Sequence, residues 1–190
     1  MRRLEADADK LMIGILWGLM ALSVALAPWH GTWTWVVFVG LPTAIAPTVL
    51  ATVASGKLVT RLFVAAAFMI FAALNIYQAN GMTEMHFGIF VLLASLLCYR
   101  DWRPIVLATF LIVLHHLSFN YLQELGYGVM CFTHPGLPIV LTHAAYLLID
   151  AVALSYLSLI LKRQGVRAAE LEPLVESMHG KRLDKSPAHV

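Results

Sequence analysis

Apolar residues fall along the chain in six long runs that are separated by short polar connections. A helix needs about 20 residues to cross the hydrocarbon of a bilayer, and most of the runs approach that length. A soluble core would not require unbroken apolar runs of this kind. The pattern therefore predicts an all-α integral membrane bundle of six transmembrane helices, at residues 11–27, 33–53, 58–79, 84–99, 103–123 and 138–161.

The composition also favours a membrane protein. Hydrophobic residues make up 60% of the chain and charged residues 13%, whereas soluble domains carry about 25% charged residues. We expect a short N-terminal segment (1–10), a membrane domain (11–161) and a polar tail (162–190). In the tail, a partial helix broken at Pro173 is expected to precede a disordered end.

The positive charges predict the orientation of the bundle. All thirteen lysines and arginines lie in the N-terminal segment, in the second and fourth connections, or in the tail with the exit of the last helix. Six crossings place all these parts of the chain on one side of the bilayer. The positive-inside rule makes that side the cytoplasm, so both termini are predicted to be cytoplasmic.

Eight histidines are present, and their placement is one-sided. His179 and His189 lie in the tail, where we expect them to be solvated. Ionisable residues within membrane helices are rare and commonly functional. The remaining six all fall on the outer half of the predicted bundle, at His30, His86, His115, His116, His134 and His143.

Three of these histidines are predicted to meet in one layer. With a rise of about 1.5 Å per residue, His86, His116 and His143 reach a similar depth on three successive helices. Successive helices joined by short connections tend to be neighbours in space. His115 points about 100° away from His116, towards a different neighbour.

Helical spacing adds further polar residues to the faces that carry these histidines. Such stripes belong in the protein interior, away from lipid. On the fifth helix the stripe comprises Thr109, His116, Asn120 and Gln123, and on the sixth it comprises His143, Tyr146 and Asp150.

The histidines have three possible roles. They can simply hydrogen-bond between helices, which contributes about 1 kcal/mol each. Two of them can instead clamp a b-type haem, because neutral imidazole is a common axial ligand. Small residues near the site would leave room for a flat macrocycle, namely Gly88, Ala108, Ala144 and Ala145.

In the third role, three or four imidazoles bind copper or zinc directly. Soft sulfur ligands nearby would favour Cu(I). The sequence offers sulfur at Met82, Met85, Met130 and Cys131. We favour haem b slightly over copper or zinc, with His86, His115, His116 and His143 as the candidate ligands.

Four more residues are candidates to orient the ligands: Glu84, Asn120, Tyr146 and Asp150. Glu84 also suits the first turn of its helix, where a negative charge is favourable. Asp150 lies near mid-membrane, where an unpaired charge costs several kcal/mol, so we expect it to be protonated or paired.

The two cysteines, Cys98 and Cys131, fall on opposite sides of the predicted membrane and cannot form a disulfide within one chain. A free Cys131 can therefore pair between chains or bind a soft metal. The chain has no Ser-His-Asp, P-loop or zinc-protease motif. We expect no enzymatic activity and no nucleic-acid partner.

Four separated motifs resemble the N-terminal membrane region of certain bacterial chemotaxis receptors, a region that also precedes some diguanylate cyclases. The motifs are Glu84-Met85-His86-Phe87, Tyr99-Arg100-Asp101-Trp102-Arg103-Pro104, His115-His116-Leu117-Ser118-Phe119-Asn120 and Thr142-His143-Ala144-Ala145-Tyr146. The resemblance spans about residues 11–161. It implies an input module in the bacterial inner membrane, with His86, His115, His116 and His143 as the positions to carry over.

The resemblance implies a cytoplasmic signalling domain after residue 178, which this sequence does not contain, and we expect either a truncated version of the family or a chain that signals through a separate partner. We therefore predict a sensory module that relays the redox or ligand state of a haem or metal through helix six. A homodimer is expected, with a cytoplasmic partner that contacts residues 162–178. The alternatives are a small b-type cytochrome that carries electrons, or a copper- or zinc-binding membrane protein without a signalling role.

Overall fold

The computed structural model describes the backbone of residues 2–184 and the side chains of residues 5–171. It contains six helices and, within this described part, no β-strand. We number the helices α1 to α6. Their bounds are Arg2–His30 (α1), Trp33–Val53 (α2), Leu58–Gln78 (α3), Thr83–Tyr99 (α4), Trp102–Glu124 (α5) and Leu137–Asp184 (α6).

The predicted all-α architecture is confirmed, and each apolar run becomes one helix. Five of the helices are long and apolar enough to cross a membrane. The exception is α4, which is shorter and ends in a 3₁₀ turn at Leu96–Tyr99. The bundle is therefore consistent with a membrane protein, while six crossings and cytoplasmic termini stay predictions.

Two helices depart from regular geometry or from their expected ends. α2 contains a π-helical segment, Val36–Gly40. Pro42 lies two residues after this segment and has no N–H to donate to the carbonyl of Phe38, which explains the wider turn at that point.

α6 continues past Pro173 to Asp184 rather than breaking there. The end predicted to be disordered, residues 181–190, is instead helical as far as Asp184, and residues 185–190 lie outside the described residues.

The centre of the bundle is α3. In its apolar window 67% of the residues are buried, against 22–33% in the other four long helices. α3 packs against α1, α2, α4 and α5, and α6 packs mainly on α5. The outward faces instead expose large apolar side chains, including Phe38, Val91, Phe110, Ile149 and Val152, as expected for a surface that contacts lipid.

Buried polar side chains on α3 find their partners on α1 and on the α1–α2 connection. The hydroxyl of Ser23 donates to Asn75 at 2.6 Å, and the amide of Gln78 donates to the carbonyl of Ser23 at 3.0 Å and to the Thr32 hydroxyl at 2.9 Å. These bonds fix the register of α3 against α1 because hydrocarbon offers no alternative partners.

At the opposite end of α3, an ion-pair network joins three parts of the chain. Arg61 pairs with Glu5 of α1 at 3.0 Å and with Asp101 of the α4–α5 connection at 3.2 Å. Asp101 also accepts from the backbone N–H of Arg103 at 3.1 Å and from its guanidinium at 2.8 Å, so it caps α5. Only 9% of the Arg61 side chain and 4% of the Asp101 side chain are exposed.

The network controls the ionisation of Asp101. Burial by itself would raise the pKa of this carboxyl, but hydrogen bonds from Arg103 and the charges of Arg103 and Arg61 outweigh burial and lower the pKa. Because the pKa of Asp101 in the folded state lies below the unfolded value of about 3.9, ionised Asp101 stabilises the fold fully above about pH 3.9. This contribution to the free energy of unfolding is lost as the pH falls through the lowered pKa of the folded state.

We expect Asp101→Asn to lower the free energy of unfolding by about 3 kcal/mol, because it leaves the buried Arg61 without its full counter-charge. Chemical unfolding in detergent micelles measures this change. Lys10→Gln is the matched control, since it breaks an exposed pair with Asp7 at 3.1 Å and should cost less than about 1 kcal/mol. Equal effects of the two variants would contradict a structural role for the buried network.

Candidate metal centre

Three imidazoles from three helices meet at one place, as the sequence predicted. His86 comes from α4, His116 from α5 and His143 from α6. The ring centroids of His86 lie 5.3 Å from those of both His116 and His143, and the latter two rings lie 6.4 Å apart. His86 and His116 are 1% and 6% exposed, and His143 is half-buried.

All three rings are oriented by the same backbone contact. The Nδ1 atom of each histidine lies 2.9–3.0 Å from the carbonyl oxygen four residues earlier, at Met82, Ile112 and Ile139. A carbonyl only accepts, so each bond requires the proton on Nδ1. The lone pair is then on Nε2, which is the arrangement that metal-binding histidines commonly adopt.

Cys131 completes a three-donor group with two of these histidines. Ligand atoms of His86, His116 and Cys131 all lie within 4.8 Å of one another, and all three residues are buried. Tetrahedral zinc bonds of about 2.0–2.3 Å would place such donors roughly 3.5 Å apart, so a metal would draw them inward by about 1 Å. Burial raises the pKa of the Cys131 thiol to about 12, so a bound cation would have to displace its proton.

The nitrogen that faces this group has no other partner. Among the described residues, Nε2 of His86 is buried and makes no hydrogen bond. A buried polar atom without a partner costs free energy and is rare in folded proteins. Five other side-chain atoms in the described part of the chain are in the same state, so Nε2 of His86 supports a ligand here only together with the nearby donors of His116 and Cys131.

The connection that carries Cys131 is held in place by α5. The side-chain oxygen of Gln123 accepts from the backbone N–H groups of Cys131 and Phe132 at 2.9 and 3.1 Å, and its amide donates to the Phe132 carbonyl at 2.6 Å. Asn120 accepts from Gly136 at 2.7 Å. Two residues of the predicted polar stripe thus position the thiol by holding the backbone around it.

Phe132 fills the space among the three imidazoles. Its ring stacks on His86 at 5.2 Å and lies 5.4 Å from both His116 and His143. The adjoining cavity, lined by the three histidines with Ala144, measures about 20 Å³. A pocket for a cofactor-sized ligand is about 300–1,000 Å³, so the slot for a macrocycle that the small residues suggested is not present here.

The other predicted site residues described here are His115, Glu84, Tyr146 and Asp150, and none of them belongs to the three-donor group. His115 is half-buried beside His116, with ring centroids 5.4 Å apart, and contacts Phe119 at 4.1 Å. Glu84 is exposed, and Tyr146 is 66% exposed. Asp150 is half-buried, and its Oδ2 has no hydrogen-bond partner among the described residues, so of the two expected states, protonated or paired, pairing is absent there and protonation stays a prediction.

His30 and His134 are exposed and do not join the group. Cys131 was noted as a possible soft ligand but was not in the predicted ligand set, and no role was predicted for Phe132. Both lie in an irregular connection, where no helical period predicts facing. Gln123, at the end of the polar stripe, was the signal that this connection folds back onto α5.

Gly81 and Gly126 provide a matched pair to test the packing of this connection. Both have positive φ, +75° and +79°, but a Cβ on Gly81 would lie 2.7 Å from the Phe132 carbonyl carbon, whereas one on Gly126 meets nothing within 4 Å. In a Cys98→Ser background, Gly81→Ala should displace Phe132 and expose Cys131. We expect maleimide labelling of Cys131 to become roughly tenfold faster, which corresponds to an opening made easier by about 1.4 kcal/mol.

Gly126→Ala should leave the labelling rate near that of the parent, because it adds only backbone strain. An equal rise in both variants would show that the strain, and not the contact with Phe132, controls access to the thiol.

Comparison with known proteins found no match: no family model, no curated protein and no solved structure is significantly similar to the chain. The function is therefore argued from the chain's own residues.

Proposed function

We propose that the protein is a membrane-embedded sensor that binds one transition-metal ion through His86, His116 and Cys131. The observation that carries the proposal is the convergence of these three buried donors within 4.8 Å. A nitrogen without a partner on His86 supports it. If the histidines served only to hydrogen-bond between helices, both ring nitrogens of each imidazole would be expected to have a protein partner.

A single ion agrees better with this geometry than haem does. The cavity beside the three histidines, which Cys131 does not line, measures about 20 Å³ and is far too small for a macrocycle. Phe132 already occupies the space among the rings, within 5.4 Å of each. Haem would require Phe132 and its connection to move away, which would break the bonds to Gln123. The preference for haem is therefore replaced by a preference for a bare metal.

The charge of the site favours Cu(I) over Zn(II). A thiolate with two neutral imidazoles carries one negative charge, which Cu(I) neutralises completely and Zn(II) exceeds by one. A buried net charge is costly, so the neutral complex is preferred. Thiolate also suits Cu(I) as a soft ligand. His143, whose ring lies 5.3 Å from that of His86, is the nearest candidate for a fourth ligand.

The proposed signal leaves the site through α6. The three closest donors belong to α4, α5 and the connection after α5, while α6 enters the group only through His143. Recruitment of His143 to the metal would therefore shift α6 relative to α5. Because α6 runs without interruption to Asp184, a shift at His143 can reach the tail.

The remaining elements of the proposal come from the sequence. Six crossings and the positive-inside rule place both termini in the cytoplasm. The resemblance to chemotaxis-receptor input regions supports a bacterial inner-membrane sensor that acts as a homodimer, with a partner on residues 162–178. A metal-binding protein or electron carrier without this relay is the second candidate, and the response of α6 separates the two.

Purified protein loaded with Cu(I) should retain about one ion per chain after a competing chelator removes the excess. His116→Ala and Cys131→Ala should each lower the affinity by more than about a hundredfold, because loss even of an indirect partner costs 10–100-fold. His30→Ala and Cys98→Ser are matched controls, since both residues are exposed, and they should leave the affinity unchanged.

Metal retention in the His116→Ala and Cys131→Ala variants that equals that of the parent protein would contradict the site. A Soret band that disappears in His116→Ala would establish haem in its place.

His143→Ala should separate binding from the relay. It leaves the three closest donors in place, so we expect metal binding to weaken by about 10–100-fold but to remain measurable. In the parent protein, saturating metal should change amide hydrogen exchange across residues 157–171. In His143→Ala that change should be absent at saturation. A full response without His143 would contradict the relay through this residue while leaving the metal site intact.

A further inference from the structure

A second site lies at the opposite end of the bundle, where the lysines and arginines collect. A cleft of about 170 Å³ is lined by four cationic side chains and one carboxylate. The cations are Arg61, Arg100, Arg103 and Lys162, and the carboxylate is Glu5. The cleft joins α1, α3, the α4–α5 connection and α6.

Two of the four cations are already neutralised. Arg61 pairs with Glu5 and Asp101, and Arg103 pairs with Asp101. Arg100 and Lys162 have no acidic partner within 4.0 Å among the side chains of residues 5–171. The cleft therefore has an excess of positive charge. It comes from Lys162, which belongs to α6, and from Arg100, which lies against α6.

The cleft is built into the fold rather than formed by loose surface side chains. Arg61, 9% exposed, lies over the ring of Tyr99 at 5.9 Å, and its Nε is buried without a hydrogen-bond partner in the described part of the chain. Arg100 has a φ of +51° and closes the last turn of α4. A Cβ on Gly165 would lie 2.7 Å from its Nη1, so the Arg100 guanidinium lies directly against α6.

We propose that this cleft binds a phosphate group, with Arg100 and Lys162 as its direct contacts. Guanidinium and ammonium groups are the common protein ligands of phosphate. The predicted topology places the cleft at the cytoplasmic surface of the bilayer, where the headgroups of anionic phospholipids lie. A phosphate there would connect the α4–α5 connection to α6, and so would hold the exit of α6 in one position.

The test uses the full chain in nanodiscs of phosphatidylcholine with or without phosphatidylglycerol. Lipid that remains bound is counted by native mass spectrometry, and the same protein in phosphatidylcholine alone is titrated with inorganic phosphate while its melting temperature is followed. Arg100→Gln/Lys162→Gln is compared with Lys57→Gln/Arg163→Gln, which removes the same two charges from the same end without touching the cleft.

We expect the parent and the control to retain similar amounts of phosphatidylglycerol, and Arg100→Gln/Lys162→Gln to retain at least about tenfold less than the control, because it alone loses direct hydrogen bonds from charged donors to the phosphate. Stabilisation of the parent by inorganic phosphate, lost in the cleft variant alone, would support the site with a soluble phosphate as its source. Equal phosphatidylglycerol retention in both double variants, with no selective response to phosphate, would overturn the proposal. Unchanged circular dichroism and a monodisperse elution profile verify that each variant is folded.

Discussion

Polar groups inside this bundle must find partners within the protein, because its apolar interior supplies none. At one end of α3, Asn75 and the side-chain NH2 of Gln78 bond to α1, and at the other end Arg61 pairs with Glu5 and Asp101, while Oε1 of Gln78 and Nε of Arg61 have no partner among the described residues. The helices pack where these bonds are satisfied. Nε2 of His86 is also buried without a partner among the described residues, and His86 differs from the other residues in this state because it forms a donor group with a second imidazole and a thiol.

The same constraint explains why the site is organised as it is. Each imidazole donates Nδ1–H to its own helix, so three Nε2 lone pairs remain for something else. Gln123 satisfies the backbone of the connection and thereby holds Cys131 against them. The two proposed sites then lie at opposite ends of one structure. α6 contacts the first through His143 and the second through Lys162 and Gly165, which makes it the element that can couple them.

Much of the fold could be predicted from the sequence, because the length of an apolar run directly sets the length of a membrane helix. The convergence of His86, His116 and His143 followed from helical rise and from short connections. The role of Cys131 did not, since the path of an irregular connection has no period. The preference for haem rested on small residues such as Gly88 and Ala144, whose size says nothing about Phe132, a residue distant in sequence that fills the space.

X-ray absorption spectroscopy of the Cu(I)-loaded protein identifies the atoms that bind the metal. We expect one sulfur at about 2.2–2.3 Å and two or three imidazole nitrogens at about 2.0 Å, with the sulfur contribution lost in Cys131→Ala. A spectrum with only nitrogen and oxygen neighbours, unchanged in Cys131→Ala, would contradict the proposed metal site.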